Sequence, residues 1–143
     1  FLQKASFMKV LFMYCTEFGY TPTVKTLENF PDVHESKLFN DIQVAFIQAE
    51  EKDMLPEHDI TRKLLNNIKW ICRKNNSNKV VLHSFAHLSE SKATPEFTID
   101  LFNRIEERLK NVGFEVFQTP FGYFLDLNIK APGFSLARVF QDL

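Results

Sequence analysis

A short apolar run in the middle of the chain decides the fold, and it reads Lys79-Val80-Val81-Leu82-His83. It follows the turn-forming cluster Asn75-Asn76-Ser77-Asn78, which sets its start. A Val-rich run of this length between turn residues predicts a β-strand. Helical patterns stand on both sides of it. The run is therefore expected to be the strand shared by two successive strand–helix–strand units.

Both flanking segments have apolar residues at helical spacing. These are Ile60, Leu64, Ile68 and Ile71 before the central strand, and Phe97, Leu101, Ile105 and Leu109 after it. The first helix is predicted over 56–74, with Pro56 in its first turn. The second is predicted to begin at the Thr94-Pro95 cap and to end at Gly113.

Four further strands and a terminal helix complete the prediction. The strands are expected at 9–15, 41–50, 114–117 and 123–130, a loop at 16–36, and a short helix at 134–143. The order is then β-β-α-β-α-β-β-α. It predicts a single compact α/β domain with a mostly parallel or mixed sheet.

Composition limits the classes of protein to which the chain can belong. It has 143 residues, enough for one domain, and 17 Lys and Arg against 18 Asp and Glu. This balance disfavours a globally basic nucleic-acid binder but leaves room for a local basic face. Two distant cysteines, Cys15 and Cys72, exclude a disulfide framework and favour a reducing, cytoplasmic setting. No apolar run approaches the ~20 residues of a membrane helix, so no membrane association is expected.

Few motifs in the sequence indicate a known chemistry. The chain has only four glycines, too few to expect a glycine-rich phosphate-binding loop. The Gly-x-Ser-x-Gly nucleophile elbow is also absent from the sequence. His83 and His87 follow a strand without an obvious third ligand, so no metal and no cofactor are expected. The cations Arg62, Lys69 and Arg73 share one helix face, which is either solvated or contacts phosphate.

Polar loops after the third and fourth strands are the best candidates for a site, because ligands of open α/β sheets lie beyond the carboxyl ends of strands. The residues there, Phe85-Ala86-His87-Leu88-Ser89 and Pro120-Phe121-Gly122-Tyr123, resemble the N-terminal editing domain of archaeal-type threonyl-tRNA synthetases. Met8-Lys9-Val10-Leu11-Phe12 also resembles the first strand of that family. The resemblance covers 8–143. It leaves 1–7 as an N-terminal extension or a cloning remnant.

The resemblance implies a D-aminoacyl-tRNA deacylase-like fold, commonly a homodimer, which hydrolyses serine wrongly attached to threonine tRNA. The partner is then the tRNA 3′ end, with a synthetase catalytic domain fused or associated, and neither a metal nor a cofactor is needed. His87 is the implied catalytic side chain. The implied substrate pocket consists of Phe85, Ala86, Ser89, Phe121, Gly122, Tyr123, Phe124 and Leu125. If tRNA is the partner, the cationic helix face formed by Arg62, Lys69 and Arg73 is the candidate tRNA contact.

The sequence also departs from the family pattern. Phe124-Leu125 stands where the family has Tyr-Lys, and Arg138 stands where it has Glu. The family's His-Ser-Asp run reads Tyr14-Cys15-Thr16. Loss of one charge-stabilising donor can cost ~10²–10³ in rate. One alternative places Arg138 in the site as a replacement cation and second catalytic residue.

Three functional hypotheses therefore remain open. The first is an active editing hydrolase. The second is a catalytically degenerate relative, kept as a tRNA-binding or dimerising module. The third is an interaction module in a protein that is not a synthetase. The motifs support the first and the replaced side chains support the second. The near-neutral net charge of −1 allows the third.

Overall fold

The computed structural model describes residues 7–86 and 91–143. Within them, one mixed sheet of six strands carries two α-helices. The strands are β1 Lys9–Lys25, β2 Lys37–Gln48, β3 Lys79–Ser84, β4 Glu115–Gln118, β5 Tyr123–Lys130 and β6 Arg138–Asp142. The helices are α1 Ile60–Lys74 and α2 Pro95–Asn111, and short 3₁₀ turns lie at Glu51–Met54 and Ser135–Ala137.

The sheet has the order β4-β3-β2-β1-β5, and β6 also pairs with β1. Strands β2, β3 and β4 are parallel to one another, whereas β1 is antiparallel to all three of its partners. The predicted mixed sheet is therefore confirmed. The parallel half matters most for function, because it brings three strand carboxyl ends to one edge.

Both helices pack on one face of the sheet, where they form the main core. Its members include Val10, Phe12, Ala45, Ile47, Leu64, Ile68, Ile71, Leu82, Leu101, Ile105 and Leu109. On the opposite face a second cluster contains Phe18, Ile42, Val44, Phe46 and Val81, and the half-buried Phe85, Phe117 and Leu125 pack against it. This second cluster borders the candidate site.

The helix starts follow from their caps. Thr94 Oγ1 accepts a hydrogen bond from the Phe97 amide at 3.2 Å, which confirms the predicted start of α2 at Pro95. The predicted start of α1 at Pro56 is wrong, because the carboxylate of Asp59 caps the helix. This carboxylate accepts from the Arg62 amide at 3.4 Å, so the helix begins at Ile60.

The predicted loop at 16–36 is wrong in its first half, because β1 continues to Lys25. Residues 17–20 pair with β2 on one side and with β5 on the other. This pairing satisfies the backbone even though Gly19 and Pro22 weaken the local strand pattern. The β5 pairing becomes irregular only between Pro22 and Lys25.

The predicted C-terminal helix at 134–143 is also wrong. Residues Arg138–Asp142 form β6, which pairs antiparallel with Met13–Lys9. Exposure alternates along this strand, since Val139 and Gln141 are half-buried and their neighbours are exposed. Alternation with a period of two is typical of a strand with one face exposed. The C-terminal segment is too short for its apolar pattern to distinguish a strand from a helical turn.

No helix in the described part of the chain has both the length and the apolarity required to cross a membrane. Both cysteines are buried free thiols. Burial raises the pKa of Cys15 to about 11 and that of Cys72 to about 12, so neither is a ready nucleophile near neutral pH.

Candidate functional site

A cavity of about 510 Å³ opens at the carboxyl ends of the three parallel strands. Its walls include residues 47–49 at the end of β2, 83–86 at the end of β3, and 119–125 around the turn from β4 to β5. Pro95 and Thr98, from the first turn of α2, complete one side. This is the place where an open α/β sheet usually binds its ligand.

Backbone hydrogen bonds extend the sheet into the cavity walls. The Phe85 amide donates to the Ile47 carbonyl at 2.9 Å, and the Thr119 amide donates to the Leu82 carbonyl at 3.1 Å. On the helix side, the Ala93 amide donates to the Ala49 carbonyl at 2.8 Å. The walls are therefore attached to the core rather than formed by independent loops.

The turn at Pro120–Tyr123 is held by the segment that follows β1. Gly122 has φ +84°, and an added Cβ there would lie 3.2 Å from the Leu27 Cβ. The Thr26 amide donates to the Gly122 carbonyl at 2.7 Å, and the Val33 amide donates to the Tyr123 hydroxyl at 2.9 Å. Glycine is thus favoured here both by the left-handed backbone and by the close approach of Leu27.

A buried polar pair lies in the cavity wall where β3 and β4 end. His83 Nδ1 and Thr119 Oγ1 are 2.8 Å apart, and both residues line the cavity. The rings of Phe46 and Phe85 lie 5.3 and 6.1 Å from the imidazole, centroid to centroid. Burial lowers the pKa of His83 to about 4, so its imidazole is neutral near pH 7.

The neutral state of His83 makes folding stability depend on pH. Between pH 6.5 and about 4 the unfolded chain protonates this histidine while the folded chain does not, so stability falls as the pH is lowered. The whole interval corresponds to about 3 kcal/mol. We expect His83→Gln to remove this part of the loss, as measured by urea unfolding between pH 4.5 and 8. His34→Gln, at an exposed position, serves as the control. An unchanged pH slope in His83→Gln would contradict the prediction.

The structure brings most of the sequence-predicted pocket residues to this cavity. They are Phe85, Ala86, Phe121, Gly122, Tyr123, Phe124 and Leu125. His87 and Ser89 lie outside the described residues. Arg138 is on β6 and is not among the lining residues. Its Nη2 donates to the Ala131 carbonyl at 3.3 Å.

The three cations predicted to contact tRNA lie on α1 and do not line the cavity. Arg62 and Arg73 are exposed and Lys69 is half-buried. Arg62 is 4.0 Å from Asp59, and both side chains are largely exposed, so this ion pair leaves the guanidinium accessible to another anion.

Sequence reasoning missed several polar contributors to the cavity, among them Thr119, Lys92 and the hydrogen-bonding role of His83. Thr119 and Lys92 carried no motif, and His83 was considered only as a metal ligand. The predicted strands held a usable signal, since His83 and Thr119 follow paired residues of adjacent parallel strands, Leu82 and Gln118. Lys92 forms no ion pair with any described residue. Within 7–86 and 91–143 no group of three potential metal ligands occurs.

A solved structure supports the fold assignment. The c-Myc DNA Unwinding Element Binding Protein superimposes with a TM-score of 0.68 and 12% sequence identity, over 94% of this chain and 98% of that one. It has the D-aminoacyl-tRNA deacylase-like fold, so the expected fold is confirmed.

Sequence comparisons identify the family. The threonine–tRNA ligase of Thermococcus onnurineus is 27% identical over 135 residues, and that of Methanopyrus kandleri is 26% identical over 134. Each alignment covers 92% of this chain but only 22% and 21% of the relative, so the chain spans about a fifth of their length. The family model described as the archaea-specific editing domain of threonyl-tRNA synthetase matches residues 8–143. The chain therefore belongs to the archaea-specific threonyl-tRNA synthetase editing-domain family.

Proposed function

We propose that the domain binds the aminoacylated 3′ end of tRNA in the cavity and hydrolyses serine wrongly attached to threonine tRNA. One observation carries the proposal. Both strand-end segments that carry the family resemblance reach the same cavity of about 510 Å³, since residues 85–86 of the first and 120–123 of the second line it. Serine lacks one methyl group relative to threonine. Binding alone discriminates such a difference poorly, so a separate hydrolytic site is needed.

In the proposed reaction, water adds to the ester carbonyl and the bond between the carbonyl carbon and the ribose oxygen breaks. The ribose oxygen takes up a proton, so that serine and tRNA are released. The first turn of α2 lies in the cavity wall at Pro95 and Thr98, and the positive end of a helix dipole favours the negative oxygen that develops. His87 is our proposed catalytic side chain, and Ser89 our proposed further pocket residue.

The direct test is release of serine from seryl-tRNA(Thr) by the purified domain, with threonyl-tRNA(Thr) and a D-aminoacyl-tRNA as alternative substrates. We expect release of serine that is faster than in buffer and is reduced in His87→Ala. Seryl-tRNA that survives as long as in buffer, together with unimpaired binding of its 3′ end, would reject hydrolysis and leave the second function.

That second function is a catalytically degenerate module that binds tRNA without hydrolysis. The residues in favour of it are Phe124 and Leu125, which place apolar side chains in the cavity wall where the family resemblance implies tyrosine and lysine. Arg138 is proposed as a replacement cation only if it leaves its contact with the Ala131 carbonyl. Binding of the 3′ end without turnover supports this function over the first.

The cationic face of α1 is the proposed tRNA contact outside the cavity. Changing Arg62, Lys69 and Arg73 together to glutamate should weaken tRNA binding, because each neutralised phosphate contributes released counterions. The slope of log affinity against log salt should flatten by about 2 to 3. Filter binding from low to moderate salt measures both effects.

A control with the same change of charge is available on α2. There Arg104, Arg108 and Lys110 are exposed, and their simultaneous change to glutamate reverses three cations on the other helix. We expect this α2 variant to lose less tRNA affinity than the α1 variant, and to change the slope of log affinity against log salt less. Equal losses in the two triple variants would indicate that net charge alone, rather than the α1 face, determines binding.

The proposal extends to partners and location. A synthetase catalytic region, fused or associated, is the expected neighbour, because the matched relatives are threonine–tRNA ligases. A homodimer and a cytoplasmic location belong to the same proposal. The homodimer rests on the family resemblance. The cytoplasmic location rests on the need to act where tRNA is aminoacylated.

A further inference from the structure

The His83–Thr119 pair is a polar site in an otherwise aromatic part of the cavity wall. His83 is 7% exposed and Thr119 is 9% exposed, yet both line the cavity. The rings of Phe18, Phe46 and Phe85 surround the imidazole. Burial in such surroundings penalises any charge and any polar group without a hydrogen-bond partner.

The pair has hydrogen-bonding capacity that its internal bond does not use. A neutral imidazole has one donor nitrogen and one acceptor nitrogen, and a hydroxyl has one donor and two acceptor positions. Nδ1 is engaged by the Thr119 hydroxyl at 2.8 Å. No other described residue bonds to His83 Nε2 or Thr119 Oγ1. In either tautomer, one ring nitrogen and one lone pair of the hydroxyl oxygen therefore remain for a ligand.

We propose that His83 and Thr119 together determine substrate specificity by hydrogen-bonding the side-chain hydroxyl of the aminoacyl group. The inference rests on the proposed function, since it assigns the aminoacyl end to this cavity. A hydroxyl can both donate and accept, so it fits the pair in either tautomer. An aliphatic side chain of the same size would leave the buried pair unsatisfied, and a charged one would lose its solvation among the phenylalanine rings.

The discriminating experiment compares two nonhydrolysable analogues of the tRNA end, seryl- and alanyl-3′-amino-3′-deoxyadenosine. They differ only by the hydroxyl. Calorimetric titration of the wild-type chain should show about tenfold or greater preference for the seryl analogue. Thr119→Val, which replaces the hydroxyl with a methyl group of similar size, should abolish the preference and leave the alanyl affinity nearly unchanged. Thr119→Ser should restore the preference.

The possible results separate this inference from the proposed function. If the wild type binds neither analogue, both the proposed function and the inference fail. If it binds both equally, or if Thr119→Val keeps the preference, only the inference fails. A purely structural role of Thr119 would lower both affinities together without changing their ratio. Should Thr119→Val fail to fold, Thr119→Ala provides the same comparison.

Discussion

Replacing Leu125 with lysine should raise the rate of seryl-tRNA(Thr) deacylation about 10²-fold. Leu125 is half-buried near the start of β5 and lines the cavity. A lysine there would supply a cation close to the ester, where negative charge develops on the carbonyl oxygen. The expected gain is the reverse of the loss seen when one such donor is removed. Single-turnover kinetics with labelled seryl-tRNA measures the effect.

The same strand offers a matched control. Ile129 lies on the same face of β5 as Leu125, four residues further along, and it is outside the cavity. Ile129→Lys adds the same charge to the same edge strand and should leave the rate unchanged. Leu125→Met keeps an apolar side chain in the wall and should also have no effect.

Two other results would revise the proposed chemistry. A wild-type chain that is already fast would mean that main-chain donors and the ribose hydroxyl suffice without a lysine. No gain in Leu125→Lys, with binding of the seryl analogue retained, would mean that the missing cation does not limit the reaction. His87→Ala, measured in both backgrounds, then shows whether the proposed catalytic histidine contributes.

The sequence predicted correctly those helices and strands whose ends are set by residues close by in the sequence. The Thr94 cap and the Gly113 stop bound α2, and the alternation from Tyr123 to Lys130 matches β5. The second half of β1 lacks such a pattern. Gly19 reads as a loop residue, but an added Cβ there would lie only 3.3 Å from the Lys37 carbonyl oxygen of β2, so the lack of a side chain suits this close approach. That reason exists only once the strands are paired.

The candidate site shows the same division between local and tertiary information. The two loops at strand ends could be placed near each other from the strand order alone. The His83–Thr119 pair depends on the exact register of β3 with β4, in which Leu82 faces Gln118. The helix expected around Arg138 is replaced by a strand. As the first residue of β6, Arg138 pairs with Met13, and its guanidinium binds the Ala131 carbonyl.

Phe18→Ala should destabilise the domain by about 3–5 kcal/mol. Phe18 is fully buried in the part of β1 that the sequence pattern assigned to a loop. It pairs with Phe39 of β2 and Ile129 of β5, and its ring lies 6.2 Å from that of Phe46. The truncation removes a large apolar side chain from the second cluster and leaves a cavity there. Because β1 is paired on both sides, it cannot shift to fill that cavity.

Urea unfolding at pH 7 measures the loss, and Val24→Ala is the control on the same strand. Val24 is 58% exposed, so its truncation should change stability by less than about 0.5 kcal/mol. A loss below about 1 kcal/mol in Phe18→Ala would mean that this half of β1 is not part of the core. The Phe18 ring also lies 6.4 Å from the imidazole of His83, so the cluster that packs this half of β1 also contacts the cavity wall.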